Sequence, residues 1–298
     1  MNPQNQRQAA LLAFVIVVII AIVVSAASPG PGLLLVLAIA PTCFLLWHFY
    51  HADKYKQESK RLLVGTFVLG AFSVVPAFFI EILFKSPSPE AGFVDVFIYF
   101  LLGVGLVEEL MKFISVRIYA YRSKQFDEPM DGIVFGVAAA LGFATVENIL
   151  YVFQSSSGIV TAILRAIVSV PSHAFYGAII GFYLGEAKIR RQPFLALEGL
   201  IFAALLHGLF DTIATVMSSG IIPLISLPVL VWIVYFKVVK KEIAEAEAES
   251  PYRKEPQYPT TPDQRPPTTQ RPWKFCPQCG APLVEVNRFC INCGKRLA

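Results

Sequence analysis

Long apolar runs are the feature that most constrains how this chain can fold. Eight of them occur, at 9–27, 33–50, 62–84, 93–121, 132–153, 159–186, 194–217 and 220–239. A helix needs about 20 apolar residues to cross the roughly 30 Å hydrocarbon core of a bilayer, where its backbone groups must bond to one another. The composition agrees, since 55% of the 298 residues are hydrophobic and only 15% are charged. We therefore predict an all-α polytopic membrane protein with about eight transmembrane helices.

Lysine and arginine are distributed unevenly between the connections of these runs. Connections such as HADKYKQESKR and AKIRRQP are rich in them, as is the exit from the last run, whereas the alternate connections hold only Lys85. Because basic loops stay on the cytoplasmic side, we expect a multi-pass protein of the cell membrane with a cytoplasmic C-terminus. These loops account for the net charge of +4, so we expect the lipid bilayer, and no nucleic acid, as a partner.

The sequence changes character after the multi-pass domain, which we assign to residues 1–241. Residues 242–272 form a charged, then Pro- and Thr-rich linker, and residues 273–298 form a small module with two C-x-x-C pairs, each followed by glycine. The four thiols are those of Cys276, Cys279, Cys290 and Cys293. Their spacing is typical of a closed, structural zinc site. Two disulfides or a redox pair are the alternatives, but so short a segment on the reducing side needs a metal to fold. The module resembles a zinc ribbon, which can dock a protein partner.

Ionisable residues lie inside four of the apolar runs at similar predicted depth. A charge at the bilayer centre is unfavourable by roughly 2.5–3.5 kcal/mol on insertion scales. At about 1.5 Å rise per residue, Glu108, Glu109, His173 and His207 fall near the midplane, and Glu147 and Asp211 fall about one turn further out. Singly each fits a structural ion pair or a packed histidine, but together they favour a functional site. Other charged residues lie nearer the run ends and are expected to be interfacial: Glu81, Asp95, Arg117, Arg165 and Glu198.

Spacing within the helices suggests how these groups pair. Lys112 follows Glu108 by four residues and Glu109 by three, so we expect its ammonium to neutralise one carboxylate and leave the other for chemistry. Asp211 follows His207 by four residues. It is therefore expected to accept from one imidazole nitrogen and leave the other free for a metal or a substrate oxygen.

The run that carries His173 has two further features. Gly177, Gly181 and Gly185 recur at four-residue spacing, which predicts close packing of a neighbouring helix. Pro171, two residues before His173, is expected to loosen the helix at that depth.

Three short motifs in order resemble those of the PrsW family of intramembrane proteases. They are Glu108-Glu109-x-x-Lys112, Phe143-x-x-x-Glu147 and His207-x-x-x-Asp211, with His173 between the last two. The resemblance covers residues 60–217. The family is distantly similar to type II CAAX prenyl endopeptidases, which show E-E-x-x-x-R and F-x-x-x-H at these places, and to the Aph-type subunit of gamma-secretase. The resemblance implies cleavage of single-span membrane proteins, such as anti-sigma-factor-like regulators.

The residues and the resemblance together predict an intramembrane endopeptidase. The expected site residues are Glu108, Glu109, Lys112, Glu147, His173, His207 and Asp211. Either member of the glutamate pair is the expected base that activates water. The two histidines would bind the oxyanion, or a catalytic zinc whose shell Glu147 or Asp211 completes; the sequence lacks H-E-x-x-H and leaves both possibilities open. Two other classes also fit ionisable residues at midplane: a small-solute transporter and a non-catalytic membrane scaffold.

Overall fold

The computed structural model describes residues 30–216, 221–253, 275–276, 278–281 and 292–293. The chain divides into two compact units, residues 1–253 and residues 254–298. The first unit is helical in its described part, as the apolar runs predict. The run at 9–27 lies outside the described residues, and the predicted domain boundaries at 241/242 and 272/273 stay predictions.

The described part of the first unit contains eleven α-helices. They are α1 Pro31–Tyr50, α2 Lys60–Phe72, α3 Val74–Glu81, α4 Phe93–Tyr99, α5 Leu106–Ile118, α6 Pro129–Gln154, α7 Gly158–Ile167, α8 Ser169–Ile189, α9 Pro193–Val216, α10 Ile221–Val234 and α11 Lys240–Glu249. Two π-helical segments, Phe100–Gly105 and Tyr235–Val239, join α4 to α5 and α10 to α11.

Five helical segments in the described residues are long and apolar enough to cross a membrane. They are Pro31–Tyr50, Lys60–Glu81, Pro129–Gln154, Gly158–Ile189 and Pro193–Val216. The predicted class, a helical multi-pass membrane protein, is therefore confirmed, but the count of eight is not. The run at 93–121 is helical from Phe93 to Ile118. This run carries more charged residues than any of the five candidate spans, and they include Glu108, Glu109 and Lys112.

Helices α6 and α8 form the centre of the fold, because both are buried and they approach each other at glycines. Every residue of α6 from Pro129 to Thr145 is buried. A Cβ atom added to Gly132 would collide with the carbonyl oxygen of Gly181, and one added to Gly181 would collide with that of Gly132. The predicted close packing at the glycines of α8 is thus confirmed, and it holds two of the site-bearing helices in contact.

Candidate active site

A cavity of about 1070 Å³ brings together the predicted site residues of four helices. Its lining contains Glu108 of α5, Glu147 of α6, His173 of α8, and His207 and Asp211 of α9. Glu109 and Lys112 lie in contact with these groups but do not line the cavity. The remaining lining is mainly apolar and aromatic. The structure therefore places all seven predicted residues in one cluster at the wall of a large cavity.

The π-helical segment before α5 sets the position of the glutamate pair. Gly105, at its end, approaches α9 so closely that an added Cβ would lie 3.0 Å from the Ala204 carbonyl oxygen and from the Gly208 nitrogen. Gly208 in turn packs on the backbone of Leu101. This contact of two backbones brings the start of α5 beside His207. Single-turn π insertions are frequent at functional sites, because they change the rotation of the residues that follow.

Lys112 is fully surrounded by acceptors. Its Nζ lies 3.0 Å from Glu108 Oε2, 2.8 Å from Glu109 Oε1 and 2.9 Å from His173 Nδ1. The expectation that Lys112 pairs with only one glutamate is wrong. An ammonium has three N–H donors, and Lys112 is only 1% exposed, so its donors need protein acceptors in place of water. Lys112 thereby connects α5 to α8.

His173 is held at both ring nitrogens. Because an ammonium only donates, Nδ1 accepts from Lys112, and in the neutral ring the proton is then on Nε2. That nitrogen lies 2.9 Å from Glu147 Oε2. Helix α8 begins at Ser169, so Pro171 lies in its first turn, where proline is tolerated, and His173 follows directly in the second turn.

Arg165 and Glu81, which were expected near the ends of their spans, line the same cavity. Arg165 Nη2 lies 3.3 Å from Glu147 Oε1, and its Nε donates to Asn148 Oδ1 at 2.7 Å. Sequence reasoning missed these two residues as part of the cluster. Their charge within an apolar run was the available signal, but their nearness to run ends suggested a position at the interface.

His207 is oriented by Glu109 more closely than by Asp211. Its Nδ1 lies 2.7 Å from Glu109 Oε1, whereas its Nε2 lies 3.4 Å from Asp211 Oδ2 and 3.8 Å from Glu108 Oε2. Asp211 lies near one nitrogen as expected, but the expectation that the other nitrogen is left free is wrong, because Nδ1 contacts Glu109. A carboxylate paired with Lys112 only accepts, so Nδ1 donates to Glu109 and the lone pair of the neutral ring is on Nε2.

Three buried residues of this cluster fit a metal ion. Glu108, His173 and His207 each offer a ligand atom, and these atoms all lie within 4.8 Å of one another. Two histidines and a glutamate form a ligand set of catalytic zinc sites that leaves one position open. The predicted ligands Glu147 and Asp211 lie beside the histidines, where carboxylates commonly orient metal-binding imidazoles. Glu108 was considered from the sequence as a base and not as a ligand.

The charge of the cluster also favours a cation. Among the described residues at the cavity, the carboxylates of Glu81, Glu108, Glu147 and Asp211 face only one lining arginine, Arg165. Behind them Lys112 is shared by two glutamates. An excess of negative charge in an apolar surrounding is stabilised by a bound cation.

The second unit contains a cysteine cluster of its own. The sulfurs of Cys276, Cys279 and Cys293 lie within 4.8 Å of one another, and Cys290 lies outside the described residues. Gly280 adopts a φ of +69° and donates its N–H to the Cys276 carbonyl at 2.9 Å, which forms the tight turn after the first pair. These thiols fit a tetrahedral structural zinc site.

Comparison with known proteins agrees with both units. Residues 58–239 match the family model of PrsW family intramembrane metalloproteases, and residues 275–297 match a zinc-ribbon domain. The protease PrsW of Bacillus subtilis is 37% identical over 207 residues, 68% of this chain and 92% of the relative. That of Halalkalibacterium halodurans is 35% identical over 211 residues, 70% and 95% of the two chains. That of Clostridioides difficile is 32% identical over 207 residues, 67% and 87%. No solved structure matches the chain.

Proposed function

The chain belongs to the PrsW family of intramembrane metalloproteases, and on this premise we propose that it hydrolyses peptide bonds of membrane-anchored proteins at the cavity beside Glu108. One observation carries the proposal. Glu108, His173 and His207, all buried, converge on the wall of a cavity of about 1070 Å³. A polar cluster of this kind inside apolar helices lowers stability, and such clusters usually belong to a functional site.

Glu108 is proposed to activate the water that attacks the peptide bond. It is the member of the glutamate pair that lines the cavity, and its Oε2 is fixed by Lys112 at 3.0 Å. The Lys112 contact orients this carboxylate, which can accept a proton from water and return it to the leaving amine. Glu109, enclosed by Lys112 and His207, acts as a positioning residue.

As an alternative role for the same carboxylate, Glu108 with His207 and His173 would hold a catalytic zinc ion, for which His173 would use Nδ1 in place of its contact with Lys112. When bound, such an ion supplies Lewis-acid polarisation of a water and of the substrate carbonyl. The protein's own contribution is orientation. Glu109 fixes the tautomer of His207, and Glu147 holds the ring of His173 at Nε2.

The proposed substrate is a single-span membrane protein, such as an anti-sigma-factor-like regulator. The apolar and aromatic part of the lining, including Phe78, Phe100 and Leu164, suits the side chains of a transmembrane segment. The cavity is large enough for several residues of an unwound chain, whose exposed carbonyl is needed for attack. Polar groups in its wall can satisfy the unwound backbone, which lipid cannot do.

The zinc ribbon is proposed to lie in the cytoplasm, because the exit from the last run is basic, as are the loops HADKYKQESKR and AKIRRQP that are predicted to lie on that side. Reporter fusions test this arrangement. Fusions after Gln125 and at the C-terminus should read cytoplasmic, and a fusion after Ser156 should read external. A cytoplasmic reading at Ser156 would overturn the orientation.

The proposed activity is tested with purified protein in detergent and a single-span protein tagged at both ends. We expect two new fragments, with termini that mass spectrometry places inside the membrane segment. His207→Gln, which can still donate to Glu109, should remain folded and produce no fragments. Cleavage only outside the segment, or equal cleavage by this variant, would overturn the proposal.

A further inference from the structure

A second polar cluster lies far along α6 from Glu147, at the start of that helix. Four carboxylates are buried there: Asp53 and Glu58, each 3% exposed, and Glu128 and Asp131, each 0% exposed. The first two belong to the loop between α1 and α2, and the other two to the start of α6. Charged carboxylates are rarely buried unless they are paired or bind a cation.

Two of these carboxylates use one oxygen for the backbone and turn the other inward. Asp131 Oδ2 accepts from the N–H groups of Asp127 and Glu128 at 2.7 and 2.9 Å. Asp53 Oδ1 accepts from those of Tyr55 and Lys56, both at 3.2 Å. Asp53 Oδ2 and Asp131 Oδ1 are buried and accept from no N–H group of the described residues, and the Asp131 carboxyl lies against that of Glu58. The local N–H donors thus account for one oxygen of each residue and leave the other among carboxylates.

Three of the four carboxylates have the spacing of a ligand set. Asp53, Glu128 and Asp131 each offer a carboxylate oxygen, and these oxygens all lie within 4.8 Å of one another. Oxygens bound to Ca²⁺ lie at about 2.3–2.6 Å, so two on opposite sides of one ion are about 4.6–5.2 Å apart. One cation can therefore reach all three.

Of the four carboxylates, only Glu58 has a lysine within 4.0 Å among the described residues. Lys56 Nζ lies 2.7 Å from Asp127 Oδ1, at the more exposed edge, and 3.7 Å from Glu58 Oε1. Lys188 Nζ donates to the backbone carbonyls of Tyr121 and Ser123 at 2.6 and 3.0 Å. Neither makes an ion pair within 4.0 Å of Asp53, Glu128 or Asp131 among the described residues.

We propose that Asp53, Glu128 and Asp131 bind a hard divalent cation, Ca²⁺ or Mg²⁺, with the Glu58 carboxylate adjacent. The ligand set is all oxygen, which suits these ions and disfavours zinc. The ion fastens the α1–α2 loop to the start of α6, the helix whose other end carries Glu147. This site shares no residue with the cavity and does not depend on the protease chemistry.

Thermal unfolding of the full chain in detergent tests the site. The protein is freed of Ca²⁺ and Mg²⁺ while its zinc is retained, and CaCl₂ or MgCl₂ is then added. At a hundredfold excess over the dissociation constant, the midpoint should rise by roughly 5–10 °C and saturate. The more effective of the two ions identifies the occupant. No shift with either ion up to millimolar concentration would overturn the proposal.

Asp53→Asn with Asp131→Asn is the diagnostic double variant. Each Asn keeps an oxygen for the backbone N–H groups and loses the charge, so the ion-dependent rise should disappear. Removal of repulsion should leave the ion-free variant at least as stable as the ion-free parent, which separates lost binding from misfolding. Glu242→Gln is the matched control, since Glu242 is also buried, at 5% exposure, and lies outside the ligand group; it should keep the full rise. An equal rise in the double variant would place the ion elsewhere and contradict the assignment.

A direct binding measurement uses Tb³⁺ as a probe for the same oxygens. Tyr50, whose hydroxyl donates to the Glu58 carbonyl at 3.0 Å, is close enough to sensitise Tb³⁺ emission. We expect emission excited through tyrosine that Ca²⁺ or Mg²⁺ competes away and that the double variant lacks. Emission that persists in the double variant would contradict the site.

Discussion

Nδ1 of His207 lies 2.7 Å from Oε1 of Glu109, and this hydrogen bond separates the roles of two neighbouring glutamates. Glu109 is 0% exposed and lies between His207 and Lys112. Glu108, one residue earlier, lines the cavity. Consecutive residues on a helix point about 100° apart, so one member of the pair faces the cavity and the other faces the buried side chains behind it.

Lys112 is expected to be essential for folding as well as for activity. Lys112→Met leaves two buried carboxylates without their shared cation, which should destabilise the protein by about 3–5 kcal/mol. Thermal unfolding in detergent measures the loss. The double variant Lys112→Met with Glu109→Gln, which removes one of the charges, should recover part of it. A Lys112→Met protein as stable as the parent would show that the three contacts contribute little.

Much of this arrangement follows from the sequence, and the rest depends on how the helices pack. Apolar runs predict the spans, and charged residues within them predict the cluster, including His173. The π-helical segment Phe100–Gly105 and the contact of Gly105 with α9 determine which glutamate faces the cavity. The spacing of residues on a regular α-helix predicts neither of these features. The position of Arg165 beside Glu147 depends likewise on the break between α7 and α8.

The close contact between α6 and α8 predicts opposite effects for two glycine substitutions. Gly181→Ala should destabilise the protein by about 1–3 kcal/mol, because its Cβ would meet the backbone of Gly132, which cannot move aside. Gly32→Ala in α1 has no atom within 4 Å of the added Cβ. It should be neutral or stabilise by up to about 1 kcal/mol. Equal unfolding midpoints for the two variants would contradict the packing.

Glu242 of α11 is expected to make stability depend on pH. Burial, helped by the nearby Glu245 and opposed by Lys241, raises the pKa of Glu242 from 4.5 to about 8. The folded state therefore binds more protons than the unfolded state between these values, and stability falls as the pH rises through this window. Glu242→Gln should flatten this part of the profile and be more stable than the parent near pH 8. Parallel profiles of midpoint against pH would contradict the shift.

Zinc content should distinguish the two metal sites. The full chain is expected to bind two zinc ions, and truncation after Arg253 should leave one, with cleavage retained in detergent. His207→Gln in the truncated chain should remove the remaining ion. Metal analysis of purified protein gives these numbers directly. If the truncated chain contains no zinc and still cleaves, Glu108 activates water without a metal. If a folded truncated chain no longer cleaves, the ribbon takes part in substrate capture.

The most direct test of the central claim is single-turnover cleavage of a single-span substrate by Glu108→Gln and Glu109→Gln. Both substitutions keep the side-chain shape and remove a charge, so each protein should remain folded. Glu108→Gln should lower the rate by about 10²- to 10⁴-fold, as expected for loss of a group that activates water. Glu109→Gln should have a smaller effect, because Gln can still accept from His207. If the Glu108→Gln protein cleaves at the parent rate, or if Glu109→Gln is the more severe change, Glu108 does not carry the chemistry and the account is contradicted.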